Sequence, residues 1–318
     1  MKSWISCVLM SMLIPAGLSA ETVRVGAGLR YSSPSAAIAA AKSGDTIEIA
    51  AGTYTNDHAK IRQSDLKLVG KGGEAVLLSK GMIPNGKAIW VVKGDNIRIE
   101  NVVFRGARVK DRNGAGIRQE GRNLTLRHCG FFDNENGILG GHGDCTIDIR
   151  HCEFGYNSLS GRPAAHNLYI GGAKKLVFMF NYSHHAKVAH LLKSRAAENI
   201  IAYNRISDEA DGSSSYVVNL PNAGRARIVG NVLHQGPRCQ NRVMVAYGEE
   251  GPRGEEHALY VVNNTFINDC ERGQPFFVNA RRLPEKATVV LRNNIFAGKG
   301  RVTNREQAVR EGNFTGTV

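Results

Sequence analysis

The chain has 318 residues, a formal net charge of +13 and 42% hydrophobic residues, with only 9 prolines. That length is ample for one large core, and the apolar content excludes a disordered or low-complexity chain. A basic surface favours anionic partners, but no dense Lys/Arg tail or nucleic-acid module is present, so nucleic acid is not expected.

Residues 1–20 read as a signal peptide. Lys2 gives the positive start, Ile5 to Leu13 is largely apolar, and Leu18-Ser19-Ala20 is a small-residue cleavage site before Glu21. The apolar run is too short to span a bilayer, and no later stretch approaches the ~20 residues a spanning helix needs. The expectation is an exported protein, periplasmic or extracellular, with one domain over 21–318. Tyr31 to Ala41 is next, Ala-rich and opened by Ser33-Pro34. It predicts a helix that caps the N-terminal end. Gly44-Asp45 is then a turn, and Thr46-Ile47-Glu48-Ile49 begins the first coil.

From there an eight-residue pattern recurs: apolar, any, apolar, any, often Asn, and frequently Phe at the end. It starts at Ile97, Leu124, Ile147, Val177, Ile200, Arg227, Leu259 and Val289, with an earlier member at Leu66. Alternation identifies strands with one buried face. One such strand every two to three dozen residues is too sparse for hairpins. Each interval holds a second apolar run, such as Ile138-Leu139, Leu191-Leu192 or Val217-Val218. Short strands stacked turn upon turn describe an all-β, single-domain, right-handed parallel β-helix, a solenoid expected to be a monomer. Asn101, Asn181, Asn204, Asn231, Asn263 and Asn293 share one repeat position, where the side chain can accept left-handed geometry and bond to the next coil. His128 and His151 fill that position in two coils and are read as structural. Asn304 to Glu311 predicts a short helical cap at the far end. Beyond the leader, Cys129, Cys145, Cys152, Cys239 and Cys270 are an odd number without zinc-site spacing. One or two disulfides with at least one free thiol are expected.

Ala36-Ala37-Ile38, Ser43 to Ile47 (SGDTI) and Gly52-Thr53-Tyr54 resemble the N-terminal signature of pectate-lyase-like β-helix proteins. Lys193-Ser194, Asn199, Asn204 and Gly230-Asn231 resemble the pattern of the alginate lyase and chondroitinase B family. The resemblance implies that Lys193 is the proton-abstracting base, that an Arg on a neighbouring coil assists, and that Asn and Glu side chains bind Ca²⁺. On the coil where the family carries its Arg, this chain reads Tyr216 to Asn222.

β-Elimination on a uronate needs a group to neutralise the carboxylate, a base for the C5 proton and an acid for the leaving oxygen. The densest polar region, His166 to Asn222, supplies candidates. Lys193 and Arg195 point to one side of a strand by period-two spacing and suit a bound carboxylate; Lys193 is read as an exposed strand residue whose replacement costs under ~0.5 kcal/mol. Repeat alignment sets Asn167 beside His190 and Gly172 beside Arg195. His190 and His166 are candidate acid or base. Tyr216 and Tyr169 are candidates for an acid or a sugar-stacking platform. Asn167, Asn219, Asn222 and Tyr247 complete the candidate substrate-binding set. Glu209 and Asp211 lie in a compact acidic run and are candidate Ca²⁺ ligands. Glu249, if it faced Glu209 or Asp211, would open hydrolysis instead. The leading expectation is a lyase on an acidic polysaccharide. The alternatives are a C5-epimerase, a glycoside hydrolase, and a non-catalytic carbohydrate-binding or envelope protein.

Overall fold

In eight successive coils, from Asn101 to Asn293, the chain turns a sharp corner through one residue with left-handed backbone. Asn101, His128, His151, Phe180, Tyr203, Asn263 and Asn293 hold φ between 52° and 58° there, and Gly230 holds 66°. The eight-residue pattern is therefore two strands meeting at a corner. Ile97–Glu100 leads into Val102–Arg105 across Asn101, and Ala258–Val262 leads into Thr265–Asn268 across Asn263 and Asn264. The structure, a computed structural model, describes residues 20–158, 165–271 and 275–316. The predicted leader lies, but for Ala20, outside them.

The described residues form one parallel β-solenoid of about 10 turns with about 2% helix. Three strand faces run along it. The first face holds segments such as Glu198–Ala202 and Arg225–Val229, and the second holds Arg205–Ser207 and Val232–Gln235. The third face holds Ala115–Gln119, Leu192–Ser194, Val218–Leu220, Val243–Tyr247, Phe276–Asn279 and Arg301–Thr303. The named strand pairings are parallel, and the register holds from coil to coil apart from shifts near Ala50–Gly52 and Gly143–Thr146. Inward side chains stack like on like. Phe104, Phe131 and Phe154 lie face to face at 5.1 and 4.8 Å. Such a column buries large apolar area while each ring meets its neighbour in offset contact.

The asparagine ladder runs through Asn181, Asn204 and Asn231 as predicted, and then one residue later than predicted, through Asn264 and Asn294. Asn181 accepts from the Cys152 amide, and Asn181, Asn204, Asn231, Asn264 and Asn294 each pass a hydrogen bond from backbone N–H to the next side chain, ending at Asn313. Each ladder amide also donates to a buried carbonyl, as Asn204 does to Phe178. Asn101, Asn263 and Asn293 occupy the corner position instead. Aligning the repeats on Asn merged two adjacent columns, and the members at Val177, Ile200 and Arg227 start one residue earlier, since Leu176 pairs Asn199 and Asn199 pairs Ala226.

The N-terminal cap is a helix, Pro34–Ala40, with Ser33 as N-cap accepting from the Ala36 amide. The first coil begins earlier than read, since Thr22–Val25 pairs Thr46–Ile49. The C-terminal segment is not helical. Val309–Glu311 pairs Val290–Arg292, because the open edge of the previous coil offers ladder hydrogen bonds that outweigh the helix propensity of the segment. One disulfide, Cys239–Cys270, joins neighbouring coils, and Cys129, Cys145 and Cys152 are buried free thiols.

Candidate active site

On the third face the outward column reads Arg118, Leu139, Tyr169, Lys193, Asn219, Ala246, Asn279, one residue per coil. The connections from second to third face and from third to first rise on either side and wall this column. Lys193 is in consequence only 9% exposed. The expectation of a solvent-exposed lysine is corrected: its stem packs among neighbours, with the ammonium 5.4 Å from the Tyr169 ring centroid.

Lys193 and Arg195 do share one side, and a carboxylate already stands between them. Lys193 Nζ donates to Glu250 Oε1 at 3.0 Å, and the Arg195 guanidinium donates to the other oxygen of Glu250. Arg195 Nε donates to the Tyr169 hydroxyl at 2.8 Å, and its NH1 donates to Asn222 Oδ1 at 2.6 Å. Asn222 is itself held by donating to the Gly251 carbonyl. Burial raises the Glu250 carboxyl, but its bonds to Arg195 and Lys193 outweigh this and hold it below the usual carboxylate range. Glu249 goes the other way: burial raises it, partly offset by Tyr216 and Asn219. Asn219 Nδ2 meets Glu249 Oε1 at 2.8 Å. Burial, with Glu249 alongside, pushes the Tyr216 phenol up to about 12.

The two candidate histidines stack in one column with Tyr216. The rings of His166 and His190 are 4.7 Å apart, and those of His190 and Tyr216 are 4.8 Å apart. The register is 166 beside 190 and 171 beside 195, since Tyr169 pairs Lys193. The pairing expected for Asn167 and Gly172 is thus displaced by one residue. His166 Nδ1 accepts the His190 amide proton, and His190 Nδ1 accepts that of Tyr216, both at 3.2 Å. With Nδ1 accepting, a neutral ring carries its proton on Nε2. Burial lowers both pKa values, that of His190 to about 3. Both ring nitrogens of His190 are engaged, since its Nε2 lies 3.3 Å from Asn219 Nδ2.

Asn167 faces the interior, where its amide donates to Ser183 Oγ and the His184 carbonyl and accepts from Asn157. Tyr247 is 1% exposed and spends its hydroxyl on the Gly224 carbonyl. Neither presents its polar group to the groove. Glu209 is engaged by Arg205, which with its other hydrogen bonds takes it down to about 2, and it accepts from the Tyr182 hydroxyl. Asp211 pairs with His185 at 2.9 Å. Both lie toward the second face, away from Glu249, and among the described residues no three His, Cys, Asp or Glu side chains converge as a metal site.

Sequence reasoning missed the closure of Glu250 on residues 55 and 57 positions earlier. It comes from the long turn after Val243–Tyr247, and the reach of a turn leaves no trace in strand periodicity.

No protein-family model matches the chain, and no curated protein sequence does. Among solved structures it superposes on an alginate lyase from Paenibacillus sp. str. FPU-7 with a TM-score of 0.62 and 16% identity, covering 93% of this chain and 99% of that one. Pectate lyase Pel9A gives 0.63 and 14%, covering 93% and 80%. The fold is that of the pectate-lyase-like β-helices. ORF18 of Geobacillus virus E2 gives 0.57 and 16%, over 88% of this chain and 56% of that one, so the chain spans little more than half of the viral protein. Within this pectate-lyase-like frame the motif asparagines are internal. Asn204 and Asn231 are ladder rungs, and Asn199 is fully buried with its amide on the Ala196 carbonyl. Of the residues matched to the alginate lyase pattern, Lys193 alone presents a reactive group to the groove.

Proposed function

We propose that the chain is an exported polysaccharide lyase that breaks an acidic, uronate-containing polymer by β-elimination. The observation that supports this is the convergence of Lys193, Arg195, Tyr169 and Asn222 in a walled groove, on a fold similar to an alginate lyase and a pectate lyase. In this reading a uronate carboxylate displaces Glu250 from Arg195, whose direction is set by Tyr169 and Asn222. Neutralising that carboxylate makes the C5 proton more acidic. Lys193 takes the proton as a free amine. Glu250, in hydrogen-bond contact with Lys193, receives the proton the lysine sheds before it acts. The electron pair left at C5 becomes the C4=C5 bond as the C4–O4 bond breaks. Tyr216, still protonated, gives its proton to the leaving oxygen.

The test is incubation with alginate, pectate, glucuronan and glycosaminoglycans, followed by the ultraviolet absorbance of the conjugated unsaturated uronate. Lys193→Ala should abolish that signal while the far-ultraviolet circular dichroism stays unchanged. No absorbance on any polymer sinks the lyase reading. A second reading, hydrolysis, has one observation in its favour: adjacent Glu249 and Glu250 sit in environments that drive their pKa values apart, as an acid and its partner require. New reducing ends without absorbance select it, and exchange at C5 without cleavage selects an epimerase.

A further inference from the structure

Beyond Glu250 the groove changes character. A cavity of about 520 Å³ is lined by Tyr216, Glu249 and Glu250 at one end and by Arg242, Arg281 and Arg282 at the other. A second cavity, of about 460 Å³, continues it past Arg281 to Arg301 and Arg310, with one carboxylate, Glu306, in its lining, and shares Phe276 and Asn304 with the first. All five of these arginines are exposed. Among the described residues none has a carboxylate partner, and Arg282 gives one N–H to the Glu249 carbonyl. Some outer arginines elsewhere are matched, Arg122 with Asp95, Arg205 with Glu209 and Arg292 with Glu311, and others such as Arg62 and Arg105 stand singly; here five line two adjoining cavities. Like charges gathered along one wall repel one another, so this shelf is unfavourable until an anion lies on it.

The register sets its distance from the reactive residues. Counting coils along the column Lys193, Asn219, Ala246 and Asn279, Arg242 lies two coils on. Arg281 lies three coils on, and Arg301, paired with Phe276, lies four coils on. At ~4.8 Å per coil these are roughly 10, 14 and 19 Å along the axis. One coil step is close to the length of one pyranose unit, so a polyuronate lying along the axis offers about one carboxylate per coil.

We propose that Arg242, Arg281, Arg282 and Arg301 form a second anion-binding subsite that holds carboxylates two to four sugars away from the unit at Lys193 and Arg195. This rests on the polyuronate reading of the site and adds a length requirement to it. Short oligomers reach Lys193 without touching the shelf, whereas chains of about six units occupy both. Arginine suits the task because its planar fork takes a carboxylate with two parallel hydrogen bonds.

The experiment compares the protein with Arg281→Ala/Arg301→Ala, both surface positions, on oligouronates of about three and about six units. Removal of two charge-assisted contacts should raise KM roughly tenfold for the long oligomer and leave the short one and kcat unchanged. An unchanged KM for the long oligomer, or equal rises for both, overturns the subsite. Calorimetric titration of the long oligomer separates this from the chemistry. Weaker binding in the double variant supports the shelf even where no polymer is cleaved. Equal binding with and without the two arginines rejects it.

Discussion

Lys193 and Arg195 show how a short spacing carries chemistry. Two cations at i and i+2 on a strand point the same way, and that much was legible without a structure. Their partner Glu250 was not, because it arrives through a turn two coils on. The contact makes a prediction. Glu250→Gln leaves both cations uncompensated, so an anionic substrate should bind more tightly; with no carboxylate to take the lysine proton, kcat should fall. Steady-state kinetics should therefore show KM and kcat dropping together, and a kcat unchanged or raised would remove Glu250 from the proton path. The histidine pair gives a second. His166 and His190 have pKa values below 6.5 in the folded chain, so their contribution to stability is present above pH 6.5 and is lost as pH falls toward 3. Because the unfolded chain binds protons that the folded chain does not, stability should fall as pH is lowered through that window. Urea unfolding at stepped pH should show a shallower slope in His166→Gln/His190→Gln. Asp208 acts oppositely: burial raises it to about 6, so its contribution is present at low pH and lost as pH rises from about 4 through 6. Relative to Asp208→Asn, the natural chain should have the more favourable Tm difference at pH 4 than at pH 7.

At the scale of the element, the corner is the informative unit. Its left-handed residue and the ladder residue that follows differ by one position and by everything physical. Asn263 sits at φ 57°, where glycine is at no disadvantage. Asn264 is 1% exposed and bonds the Ile228 and Val262 carbonyls and Asn294 Oδ1. Asn263→Gly should change stability by under ~0.5 kcal/mol, whereas Asn264→Ala strands a buried amide and carbonyl and should cost about 3 kcal/mol. Denaturant midpoints of the two variants check the register directly. The period of the repeat was readable because core-facing residues alternate. Its phase was not, because Phe180, Tyr203 and Asn263 all hold the corner ahead of Asn181, Asn204 and Asn264, so an asparagine can mark either column, and a one-residue slip leaves the pattern looking intact.

For the whole molecule, the architecture followed from the repeat and the N-terminal helix from its Ser-Pro start, while the far end did not follow from propensity. A solenoid is held by nearest-neighbour contacts, so its stability is regional. Cys239–Cys270 closes a loop of 31 residues, and such a closure contributes about 4 kcal/mol by constraining the unfolded chain. Reduction should accelerate amide exchange in the coils from about residue 230 onward and leave the coils before residue 150 unaffected, as exchange mass spectrometry can show. Uniform acceleration would mean that the rod unfolds as one unit.

The ladder has a consequence for how such a chain can change over generations. Successive rungs lie 23, 27, 33, 30 and 19 residues apart, yet each meets the next with the same hydrogen bond. The seam is intolerant of length, so insertions and deletions are confined to the connections beside the third face. Those connections are the walls of the groove. New chemistry can be tried there by lengthening a loop, as Glu250 illustrates, while the spine that spaces the floor stays fixed.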